Sequence, residues 1–119
     1  MKNGLTPKET ETIIRILEKY PDIHEVWLFG SRITENYHSG SDVDLAVMNS
    51  NVSGKVIRQV RSDFEDSNLP YFVDIINFSE LKHPELKEQI FRTGQLFYSE
   101  AHLPVVNERK PGYLEDDAK

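Results

Sequence analysis

Cysteine is absent from the 119 residues, which excludes disulfides, thiol nucleophiles and the commonest ligands of a structural zinc site. Long apolar runs are missing too. None approaches the roughly 20 residues of a membrane-spanning helix, and the N-terminus has no signal-peptide apolar core. The expectation is a cytoplasmic protein without membrane association. Histidines stand singly at His24, His38, His83 and His102, with no His-x-x-x-His spacing, so none is expected to bind metal. A surplus of positive charge is also lacking, with 14 Lys and Arg against 20 Asp and Glu for a net charge of −6. A protein that grips nucleic-acid backbone needs a basic patch, so the charge argues against an extended nucleic-acid partner. The densest basic groups are Lys55-Arg58-Arg61 and Arg109-Lys110, and the first, at a spacing of three, reads as a solvated helix face.

What is present suits one globular domain, since 38% hydrophobic and 29% charged residues are ordinary values. Thr6 and Glu9 form a capping-box pattern with Pro7 at the first helical position, and Ile13, Leu17 and Tyr20 give a helical stripe over 6–20. A strand is expected at His24–Phe29, a second at Asp42–Met48 and an apolar third over Tyr71–Phe78. Between the last two, Ser53–Ser67 reads as an amphipathic helix with Val56, Val60 and Phe64 inward, long enough to cross between parallel strands. His83-Pro84 opens a third helix, with Leu86, Ile90 and Phe91 inward and Gly94 as its stop, before a short strand at Gln95–Ser99. The resulting fold class is α/β, a small mixed β-sheet with packed helices. Residues 1–100 form the domain and 101–119, with the acidic end Glu115-Asp116-Asp117, a tail.

The chemistry concentrates between Trp27 and Val47, WLFGSRITENYHSGSDVDLAV. Asp42 and Asp44 are two apart at the start of a strand and so share a face. Two anions held that way repel unless a cation lies between them, and a hard-oxygen pair suits Mg²⁺ with substrate phosphates in its shell. Gly30 lets backbone approach a ligand closely. The N–H groups of an incipient helix at Ser31, with the serine hydroxyl, make an anion site. Asp74 is one acid in an apolar strand; burial requires it to be neutral, paired with an arginine or metal-bound.

Gly30-Ser31, ten residues, then Asp42-Val43-Asp44 resembles the signature of the minimal nucleotidyltransferases of the DNA polymerase beta superfamily, the antitoxin-type partners of HEPN proteins. The likeness extends through Phe29, Arg32 and Ser41 and spans roughly residues 5–98. It departs at Ile33-Thr34-Glu35, where many members carry a second glycine and this chain adds negative charge. The resemblance implies a polymerase beta-like fold and Mg²⁺-dependent transfer of AMP from ATP to a hydroxyl acceptor. It implies Asp42, Asp44 and Asp74 as catalytic, metal-holding carboxylates, and Gly30, Ser31 and Arg32 as the nucleoside triphosphate site. It further implies a HEPN-type helical partner, a tyrosine of which would accept AMP. About twenty residues after the last strand are too few for a second wall around the site, so a partner protein or a second copy of the chain must close it. Two rivals stay open: a non-catalytic module that masks a partner protein, and a transferase acting on RNA or a small molecule.

Overall fold

The computed structural model describes residues 4–33 and 42–100. Expectations for Glu35, His38, Ser41 and the segment 101–119 lie outside the described residues. Helix α1 (Pro7–Glu18) begins where its cap dictates. Thr6 Oγ1 accepts from the Glu9 N–H at 3.0 Å, and Glu9 Oε1 accepts from the Thr6 N–H at 3.1 Å. Then follow β1 (Glu25–Phe29), a 3₁₀ turn (Gly30–Ile33), β2 (Val43–Val47), α2 (Gly54–Glu65), β3 (Val73–Asn77), a second 3₁₀ turn (Phe78–Glu80), α3 (Pro84–Thr93) and β4 (Gln95–Ser99). The sheet runs β3-β2-β1-β4, with β2 and β3 parallel and β1 antiparallel to both β2 and β4. The expected mixed sheet and crossover helix are both there.

Alternation along the strands divides the core in two. Val26, Leu28, Val43, Leu45, Val47, Val73 and Ile75 face α1 and α2, joining Ile13, Leu17, Ile57, Val60 and Phe64. Phe29 and Ala46 face the other way, under Ile90 of α3. A buried side chain of this size contributes about 1.5–3 kcal/mol, so these strands cannot slip by one residue without exposing the set.

Several details differ from the sequence expectation. Strand β2 starts at Val43, leaving Asp42 exposed on its approach. Helix α1 ends before Tyr20, whose half-buried hydroxyl donates to Asp63 of α2. Phe91, expected inward, is 70% exposed and stacks on Trp27 at 6.0 Å between ring centroids, because Ile90 already fills the inward position. His83 caps α3, its Nδ1 accepting from the Leu86 N–H at 3.1 Å. Lys55 and Arg58 are solvated as expected, whereas Arg61 folds back toward β3.

Candidate active site

The α3 side of the sheet carries the carboxylates. Parallel pairing sets Asp44 directly beside Asp74, and antiparallel pairing sets Asp44 opposite Phe29, the last residue of β1. Both acids occupy the leading ends of their strands, where the face is open: Asp42 is exposed and the Asp74 side chain is 38% exposed. Burial, then the charges of Asp74 and Asp42, pushes the Asp44 carboxyl above the usual carboxylate range. A cation would relieve the same repulsion.

Gly30 turns the chain across this cluster. Its φ is +86°, a left-handed conformation that side chains resist, and a β-carbon there would lie 2.5 Å from Asp44 Oδ2. Glycine is needed for both reasons. Ser31 is exposed in the 3₁₀ turn, directly after the Gly30 that packs on Asp44. Arg32 behaves differently. It is fully buried, with its guanidinium over the Tyr71 ring at 4.7 Å, not on the open face with Ser31.

Sequence reasoning allowed Asp74 an arginine partner, and that partner is Arg61. From α2 it reaches past the edge strand, donating from Nη2 to the Ile75 carbonyl at 2.8 Å. Its Nε stands 3.5 Å from Asp74 Oδ1 and makes no hydrogen bond among the described residues. The pairing of Arg32 with Tyr71 was not expected; the one signal for it was an arginine joined to a motif glycine-serine and an aromatic at a strand entry.

Among the described residues, no three potential ligands converge on one point. The donor set still fits a hard divalent cation: all oxygen, two carboxylates in lateral register, and a third just before β2 whose charge acts on Asp44. Among the described residues, a groove of 960 Å³ runs along α1 past Leu5, Ile14 and Phe97.

Residues 11–103, which hold this turn and the three aspartates, match the family described as polymerase beta, nucleotidyltransferase. The chain belongs to the polymerase beta nucleotidyltransferase family. Among curated proteins it is similar to the probable protein adenylyltransferase MntA of Haemophilus influenzae, with 29% identity over 73 residues, 60% of this chain and 64% of that protein. It therefore spans less than two thirds of that relative. Among solved structures it resembles a chain from a toxin–antitoxin crystal structure with AMP-PNP, at a TM-score of 0.63 and 22% identity, covering 76% of this chain and 73% of that one. It also resembles a chain from a complex of a tri-AMPylated Shewanella oneidensis HEPN toxin with its MNT antitoxin, at a TM-score of 0.57 and 20% identity, covering 76% and 69%. At these identities the two structures establish the shared fold. No helix among the described residues is long and apolar enough to cross a membrane.

Proposed function

We propose that this nucleotidyltransferase moves AMP from ATP onto a hydroxyl side chain, a tyrosine, of a HEPN-type helical partner, and so serves as its antitoxin. The observation that carries the reading is the lateral pairing of Asp44 with Asp74 under the Gly30 turn. The names of the MntA relative and of the AMPylated toxin complex support the acceptor class.

Gly30 and Ser31 present N–H groups and a hydroxyl to the triphosphate. Asp42, Asp44 and Asp74 would hold Mg²⁺, which would neutralise the charge of the triphosphate. Asp74 faces the acceptor and takes the proton of the attacking hydroxyl. The acceptor oxygen forms a bond to the α-phosphorus, the α–β anhydride bond breaks, and pyrophosphate departs. Position and charge supply the rate. An open carboxylate face needs a second surface to exclude water, and a protein acceptor brings that surface with its own hydroxyl.

The test is to incubate the protein, its helical partner, ATP and Mg²⁺ and weigh the partner intact. Added AMP that vanishes with Asp44→Asn is the expected result. A partner silenced in a stable complex without any added mass would replace this reading with a masking module.

A further inference from the structure

Arg32 is the largest fully buried side chain among the described residues. Burying a guanidinium costs several kcal/mol unless its surroundings compensate, and a cation over an aromatic face is part of such compensation. The Tyr71 ring supplies that face at 4.7 Å. The Tyr71 hydroxyl is buried and makes no hydrogen bond among the described residues, and burial and the nearby Glu9 of α1 both raise its pKa above the usual phenol value.

The two residues sit at informative places. Arg32 follows Ser31 directly, and Tyr71 stands three residues before Asp74. Next to Tyr71, the Phe72 carbonyl accepts the Val43 N–H at 2.9 Å, joining the entries of the strands that carry Asp74 and Asp44. The cation–ring pair thus bridges the turn at Gly30-Ser31 to the point where both carboxylate strands begin. With no surface open, Arg32 has no face left for a phosphate.

We propose that Arg32 is a positioning residue, pinned under Tyr71 so that the Gly30-Ser31 turn holds one orientation over Asp44 and Asp74. The assignment rests on the adenylyl-transfer reading for its effect on catalysis, though not for its effect on the turn. Planarity matters as well as charge, because an ammonium does not stack as a guanidinium does. Arg32→Lys and Tyr71→Leu should therefore fail alike, and Tyr71→Phe, which keeps the ring, should behave as the parent protein.

Two measurements test it on the full chain. Amide hydrogen exchange of the nucleotide-free protein should show faster exchange at residues 30–33 in Arg32→Met, Arg32→Lys and Tyr71→Leu, and parent-like exchange in Tyr71→Phe. Titration with ATP and Mg²⁺ should show affinity weakened about tenfold or more in the same three variants, as expected for a misplaced binding group. Unchanged exchange and unchanged ATP affinity in Arg32→Met overturn the proposal. So does loss in Arg32→Met with a parent-like Tyr71→Leu, which also decides the matter if Arg32→Met does not fold. If the parent protein binds no ATP while the exchange pattern appears as expected, the positioning role stands and the adenylyl-transfer reading fails.

Discussion

Gly30 and Asp44 are packed so closely that a β-carbon on residue 30 would come within 2.5 Å of Asp44 Oδ2. The contact ties the turn after β1 to the carboxylate on β2, and it leaves no room for any side chain. Gly30→Ala should cost about 1–3 kcal/mol, from the left-handed φ together with displacement of Asp44. Transfer should fall more steeply than stability. Urea unfolding and a transfer assay on the same preparation separate the two effects.

Asp44→Asn should abolish transfer and leave the metal-free melting temperature level or higher. Asp44 is half-buried and repelled by Asp74 and Asp42, so removing its charge relieves the native state. Thermal melts in EDTA check the stability and partner mass the activity. A variant that transfers AMP at the parent rate would remove Asp44 from the metal site.

Arg61→Ala should sharpen the response to Mg²⁺. Arg61 Nε lies 3.5 Å from Asp74 Oδ1, with both side chains more than a third exposed, so the pair itself adds at most about 1 kcal/mol to stability. Removing a cation beside the acid favours another cation there. Calorimetric titration with Mn²⁺ should show a several-fold lower dissociation constant, and weaker binding would mean that Arg61 orients Asp74 for the metal.

Tyr20 and Asp63 join the end of α1 to α2 and predict a pH profile. The hydrogen bond from Tyr20 holds Asp63 below its ordinary 3.8, with help from Lys19, whose Nζ is 3.0 Å away. Burial, followed by the bond and charge of Asp63, pushes Tyr20 from 10.0 up to about 12. A depressed acid stabilises above its unfolded pKa and loses that contribution as pH falls through the lower folded value. A raised phenol stabilises below its unfolded pKa and loses that contribution as pH rises from 10.0 toward about 12. Tyr20→Phe should therefore cost about 1 kcal/mol near neutral pH. The difference from the parent should shrink below pH 3.8 and again above pH 10.0. Chemical denaturation across that range is the measurement.

Truncation after Ala101 should keep a cooperative melt, since among the described residues the two buried clusters lie within 13–98. A broad, non-cooperative transition would make the segment 102–119 part of the domain.

Local chemistry alone placed much of this molecule. The Thr6–Glu9 box, the 3.6-residue stripes around Ile13 and Val60, and the alternation of Val43, Leu45 and Val47 depend on near neighbours in the chain, so they are legible in sequence. The same holds for glycine at the turn. Phe91 and Tyr20 show the limit of such patterns: periodicity gives a direction from the helix axis, but the packing partner decides whether that direction is covered. The pairing of Asp44 with Asp74, the burial of Arg32 under Tyr71 and the reach of Arg61 to Asp74 all join residues thirty, thirty-nine and thirteen positions apart. The parallel register of β2 and β3 brings the two acids together, the β1–β2 pairing carries the turn with Arg32 toward the strand entries, and α2 packed along β3 delivers Arg61.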